Sequence, residues 1–217
     1  MNDAIIEFRD VWKTYGKEKT EINALKGINF SLKKNSVNLI LGPSGSGKTT
    51  LLNIASLMDT PTKGMVKIKG RSTPGLSKSQ RSRIRMNEIG IIYQRSNLFP
   101  YLNILENTML PMISPDKNRA LELLKNMEIT EINKFPQELS IEEQQRAALA
   151  RAMINDPSLI LADEPTGELD SGDTDIILEL IKDIGHRTII LIVSNNSDLV
   201  KYADNLFFIK NGKLEKN

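Results

Sequence analysis

The stretch Gly42–Thr50, GPSGSGKTT, constrains this chain more than any other. It has the spacing G-x-x-x-x-G-K followed by Ser or Thr. It follows the apolar run VNLIL (Val37–Leu41) and precedes LLNIASLM, so it reads as strand, loop, helix. The spacing has a physical reason. Gly42, Gly45 and Gly47, with Pro43, Ser44 and Ser46 between them, let the backbone curl until successive N–H groups point inward. The helix that follows adds the positive end of its dipole. Such a loop cradles phosphate. Lys48 can reach β- and γ-phosphates, the Thr49 hydroxyl can ligate Mg²⁺, and Thr50 is the last of the cradle residues.

A loop of this kind needs a buried sheet behind it. VNLIL, LILA (Leu159–Ala162) and TIILIV (Thr188–Val193) are apolar on nearly both faces, as strands covered by helices on both sides must be. LILADEP ends its strand at Asp163 and Glu164. Asp163 is placed to hold Mg²⁺ through water, and Glu164, beside it, to polarise an attacking water. The first 40 or so residues read differently. In INFSLKK, Ile28, Phe30 and Leu32 alternate with Asn29, Ser31 and Lys33, the period of a half-buried antiparallel strand. Asn211-Gly212, inside FFIKNGKLEK, predicts a hairpin.

The middle of the chain predicts helices. Asn103 and Glu106 are spaced to cap one. Ser114-Pro115 predicts the start of another, with Ala120, Leu121, Leu124 and Met127 on its apolar face. Arg71–Arg85 carries Arg71, Lys78, Arg81, Arg83 and Arg85 and no acid, which reads as a solvated helix face, with a phosphate or partner contact as the alternative. The expected organisation is one domain over 1–217: an α/β core from 1–93 and 139–217, and a helical subdomain over 94–138.

Composition removes other classes. A net charge of +2 is too near balance to point to nucleic acid, and zero cysteines exclude disulfides and thiolate zinc sites. The longest apolar run, Ile189–Val193, is far below the roughly 18 residues of a membrane span. The N-terminus, MNDAIIEFRD, carries acidic residues and does not read as a secretory signal. A cytoplasmic protein is expected, with any membrane role coming through a partner.

Taken together, these residues resemble an ATP-binding-cassette ATPase subunit along almost the whole chain. The resemblance is to the subfamily of lipoprotein-releasing and macrolide-export ATPases and their cell-division relative. ALKGINFSL, LLNIASLMDTPTKG and QRSNLFPYLNILENTMLP carry it, with the motifs falling in the family's order. The resemblance implies an α/β P-loop NTPase core with a mostly parallel sheet, an N-terminal antiparallel β subdomain and a helical insert. It implies ATP and Mg²⁺ as cofactors. It also implies a dimer of ATPase subunits, homomeric or heteromeric, beneath a transmembrane permease at the inner face of the cell membrane, with no nucleic-acid partner. Tyr15, in VWKTYG, matches the aromatic residue that stacks on adenine. Gln94 matches the glutamine linking Mg²⁺ and the attacking water to the helical insert. Asp170, in GELDS, matches the aspartate that bridges the two subunits, and Leu98–Leu110 matches the permease-docking segment.

Two positions depart from the family. The signature LSGGQ or LSGGE reads here Leu139-Ser140-Ile141-Glu142-Glu143. In the family this helix start presents N–H groups to the partner subunit's γ-phosphate. Ile141 places branched bulk there, and Glu142 is expected to face the phosphate with its charge. At roughly 6 Å and an effective dielectric of about 20, that costs on the order of 3 kcal/mol. The same letters suit a plain helix, because Ser140 and Glu143 are spaced as a capping box. The second departure is Ser194-Asn195-Asn196 in place of Thr-His-Asp. Asn195 can donate an amide hydrogen bond but cannot carry a positive charge. His186, the single histidine, precedes the last buried strand and cannot substitute for it. In a homodimer both nucleotide sites would carry both departures, whereas in a heterodimer each would carry one. Two readings stay open: a slow ATPase subunit driving a permease, and an ATP-binding regulatory clamp with little turnover. A soluble P-loop kinase would leave Gln94, Asp170 and the QQR of the signature as coincidences.

Overall fold

The computed structural model describes residues 4–17, 20–33 and 35–216; the first three residues of the acidic N-terminal stretch lie outside them. Strands β1 (Ile6–Tyr15), β2 (Ile22–Leu32), β4 (Lys63–Ile68) and β5 (Arg71–Ser72) form an antiparallel sheet in the order β2-β1-β4-β5. Strands β3 (Ser36–Leu41), β6 (Ile89–Ile92), β7 (Leu159–Asp163), β8 (Ile189–Ser194), β9 (Asn205–Lys210) and β10 (Lys213–Lys216) form a second sheet, ordered β10-β9-β3-β8-β7-β6. All its pairings are parallel except β9 with β10. Asn211 and Gly212 make that hairpin with φ of 51° and 78°, the positive values a two-residue turn needs.

The apolar strands are apolar because both faces are covered. In β8, Ile190 and Ile192 join one core while Ile189, Leu191 and Val193 join the other; β7 divides in the same way. The second core lies between the two sheets. There Phe8 and Phe30, paired across β1 and β2, stack with ring centroids 4.5 Å apart. Helix α1 (Lys48–Ala55) leaves the end of β3 and buries Leu51, Leu52, Ile54 and Ala55 in that core. Strand order therefore places the loop after β3 next to the loops after β8 and β7, at the carboxyl ends of the strands.

Helix α2 (Lys78–Glu88) fully buries none of its residues, in keeping with a solvated basic face; Ile84 packs against the second core, and Arg85 donates to the Leu57 carbonyl at 2.9 Å. Helix α3 (Ile104–Met109) starts at Asn103 with the expected capping box. Helix α4 (Lys117–Asn126) corrects the expected start at Ser114-Pro115. Asp116 is the N-cap, because its carboxylate accepts the Arg119 N–H at 3.1 Å. Ala120 and Leu124 are buried as expected and Met127 just past the helix end, but Leu123 is buried in place of Leu121, which is only half-buried. Helices α3 and α4 pack against α5 (Ile141–Met153), which also touches β6. Helix α6 (Ser171–Gly185) covers β3 and β8, with exposed His186 at its C-terminal end. Among the described residues no helix is long and apolar enough to cross a membrane.

Candidate functional site

The cradle is built by crowding on one side and openness on the other. Gly47 is the N-cap of α1 at φ 110°, and a Cβ there would meet the Ala24 carbonyl oxygen at 2.6 Å. Gly45 has φ 74°, and a Cβ there would meet nothing within 4 Å. A loop pressed onto the sheet at one glycine and bare at another has room for a ligand only on the bare side. Pro43 accepts the Ser46 N–H at 3.2 Å and closes the turn, while the buried Ser46 carbonyl accepts from Gly212. Helix α1 has no side-chain cap and no acid in its first turn, so the positive end of its dipole faces the loop unopposed.

The open side is a cleft of about 990 Å³. Ser44, Gly45, Gly47, Lys48, Thr49 and Thr50 line one wall, and Gln94, Asp163, Glu164, Gly167 and Asn195 line the other. Lys48 is held ready. Its ammonium donates to the carbonyls of Gly42 at 2.7 Å and Pro43 at 3.2 Å, and lies 3.7 Å from Oε1 of Glu164. Burial pushes the Asp163 carboxyl above its ordinary value, and the Glu164 charge adds to this, against the Thr49 hydroxyl and Lys48. Glu164 stands at φ 47°, a left-handed conformation for a side-chain-bearing residue. Its carboxylate accepts the Ser194 hydroxyl at 2.5 Å and the Asn195 main-chain N–H at 2.9 Å.

Among the described residues no three His, Asp or Glu side chains gather to hold a metal unaided. Thr49 and the half-buried Asp163, which line the same cleft, fit Mg²⁺, which takes few protein ligands and completes its shell with phosphate oxygens and water.

Tyr15 stands beside this cleft rather than in its wall. It is 41% exposed, its hydroxyl donates to Asp59 at 2.8 Å, and the Lys13 ammonium lies 4.8 Å from its ring centre. Gln94 packs on Gly167, where an added Cβ would stand 3.0 Å from its amide nitrogen. Asp170 caps α6 by accepting the Asp173 N–H at 3.0 Å. It lines a second cavity, of about 740 Å³, that shares Glu164, Gly167 and Asn195 with the first.

At the start of α5 one expectation holds and one is corrected. Ser140 and Glu143 form the capping box: the Ser140 hydroxyl accepts the Glu143 N–H at 3.0 Å, and the Glu143 carboxylate accepts the Ser140 N–H at 2.8 Å. Ile141 is 55% exposed. Glu142, however, does not present its charge outward. It is 7% exposed and paired with Arg146, with contacts of 2.6 Å and 3.1 Å. Arg146 in turn donates to the carbonyls of Met127 at 2.8 Å and Glu128 at 3.2 Å. The i,i+4 ion pair keeps the carboxylate inside, so the expected repulsion of a phosphate does not arise from Glu142.

Sequence reasoning gave no role to Gln145 or Ser194. Gln145 is 2% exposed, and its amide donates to the carbonyls of Tyr93 at 3.0 Å and Pro165 at 2.8 Å, joining the segment before Gln94 to the loop after Glu164. Arg151 adds bonds to Ser96 at 2.6 Å and Asn97 at 2.7 Å. The available signal for Gln145 was an amide on the buried stripe of an otherwise Ala- and Leu-lined helix face.

Comparison with known proteins places this geometry. The chain matches the family described as ABC transporter over residues 25–167. An uncharacterized ABC transporter ATP-binding protein of Methanocaldococcus jannaschii is 40% identical, with 97% of each chain covered. The lipoprotein-releasing system ATP-binding protein LolD of Buchnera aphidicola is 39% identical over 99% of this chain and 98% of its own. Among solved structures, the dimeric post-hydrolysis state of the ATP-binding cassette MJ0796 of M. jannaschii, bound to ADP and Pi, superposes with a TM-score of 0.88 at 36% identity, covering 97% of this chain and 98% of that one.

Proposed function

Because the chain belongs to the ABC transporter family, we propose that it is the ATP-binding and ATP-hydrolysing subunit of a transporter, energising a separate membrane permease by ATP-dependent pairing with a second cassette. The pairing would be homomeric or heteromeric, at the cytoplasmic face of the membrane. The observation that supports this most is the convergence of Lys48, Asp163 and Glu164 on one cleft at the start of an uncapped helix. The phosphates of ATP would lie against the N–H groups of 44–50, with Lys48 exchanging its loop carbonyls for β- and γ-phosphate oxygens. Thr49, Asp163 and Gln94 would hold Mg²⁺, which supplies charge neutralisation at the phosphates. Glu164 takes a proton from water as the water oxygen bonds to the γ-phosphorus and ADP leaves with the bridging electron pair. Tyr15 would face adenine. Asp170 would meet the second subunit, and residues 98–110 of the 94–138 helical subdomain would dock the permease.

Turnover would be slow. Ile141 adds bulk where a second cassette's nucleotide would approach α5, the capping box occupies the Glu143 N–H of that helix and the N–H of its N-cap Ser140, and Asn195 brings no positive charge. Calorimetry and phosphate release test the reading together. The wild type binds Mg-ATP and releases phosphate slowly. Lys48→Ala binds about 100-fold more weakly, about 2.7 kcal/mol, and releases none. Equal affinities would contradict the cradle assignment, and binding without any turnover, even beside the permease, would leave the regulatory clamp.

A further inference from the structure

A carboxylate that activates water must show one oxygen to the attacking water and keep the other out of the way. Glu164 does so in this chain without a histidine. Its Oε1 is the oxygen near the Lys48 ammonium, 3.7 Å away, on the cradle side. Its Oε2 accepts the Ser194 hydroxyl at 2.5 Å. That hydroxyl has one proton and cannot turn it elsewhere at no cost, because its own acceptor side is taken by the Asn196 N–H at 3.1 Å. Ser194 is the last residue of β8, 2% exposed, in a strand flanked on both sides by β3 and β7. The oxygen therefore sits on a rigid element. The remaining support, the Asn195 N–H at 2.9 Å and 3.2 Å from the two oxygens, is main chain and exists whatever side chain stands at 195.

We propose that Ser194 is a positioning residue for ATP hydrolysis: its hydroxyl pins Oε2 of Glu164 and so presents Oε1 to the attacking water. The inference rests on the hydrolytic reading above. It assigns to a buried serine and a main-chain amide the orientation of the base. Ser194 keeps its proton throughout; the proton from water passes to Oε1. The left-handed backbone of Glu164 is consistent with a residue held by its surroundings.

Displacement of a reacting group by about 1 Å costs on the order of 100-fold in rate. Ser194→Ala is therefore expected to lower kcat by about 10- to 100-fold, with Mg-ATP affinity and unfolding midpoint close to wild type. Ser194→Thr, which restores the hydroxyl, recovers most of kcat. A second readout needs no turnover. In the nucleotide-free protein, the Asn195 amide exchanges slowly and resonates downfield in wild type and Ser194→Thr, and loses both properties in Ser194→Ala. Wild-type kcat in Ser194→Ala, a loss that Thr does not restore, or an Asn195 amide indifferent to Ser194→Ala would each overturn the proposal. Should wild type release no phosphate at all, the hydrolytic reading fails, and the Asn195 amide alone decides whether Ser194 holds the carboxylate.

Discussion

Helices α1 and α5 both begin where family logic expects a phosphate, and they begin in opposite ways. At α1 the N-cap is Gly47, no side chain bonds the first-turn N–H groups, and no acid stands in that turn. At α5 the Ser140–Glu143 box consumes two N–H groups, Glu142 and Glu143 occupy the first turn, and Ile141 projects outward. A helix start binds an anion only if its donors are left over by its own chain. By that criterion α1 is built for a ligand, whereas α5 is closer to a self-satisfied helix.

The contrast can be pressed at α5 by substitution. The largest effect is expected for Glu142→Gly. Restoring a glycine there removes a carboxylate from a pair with side chains only 9% and 13% exposed and leaves Arg146 without it. A loss of about 3 kcal/mol is expected from the broken pair, with roughly 1 kcal/mol more for glycine inside a helix. Urea unfolding measures this directly, and an unchanged midpoint would return Glu142 to the outward role the letters suggest. Ser140→Ala comes next and is smaller. It removes the reciprocal cap at a cost of about 1 kcal/mol, again read in urea. A much smaller loss would mean the box does little to hold the start of α5.

Much of this was legible because it is local. The cradle, the two-faced strands, the Asn211-Gly212 hairpin and the boxes at Asn103 and Ser140 are patterns of neighbouring residues, and each has one sterically sensible outcome. The start of α4 was not, because Ser114-Pro115 and Asp116 both offer plausible caps and only the Asp116 carboxylate reaches an N–H. Glu142 and Arg146 are four apart, so their pairing had a signal in the helix-face rule. What that rule could not show was the burial, which comes from the Met127 and Glu128 carbonyls anchoring Arg146. Ser194 and Glu164 lie 30 residues apart, and only the β7–β8 pairing brings the hydroxyl to the carboxylate.

The most direct test of the contrast between α1 and α5 is the oligomeric state of Glu164→Gln with saturating Mg-ATP, followed by size-exclusion chromatography with light scattering. This substitution removes the base but leaves the cradle intact, so nucleotide stays bound and any ATP-driven pairing is trapped. For the isolated protein, with no permease to hold two cassettes together, the account predicts ATP-loaded protein that elutes predominantly as a monomer, because α1 holds the phosphates alone and α5 offers a partner's nucleotide little grip. A stable dimer that forms with ATP and dissolves with ADP would contradict it, and would show that a signature helix beginning Ser140-Ile141-Glu142 closes on a phosphate after all.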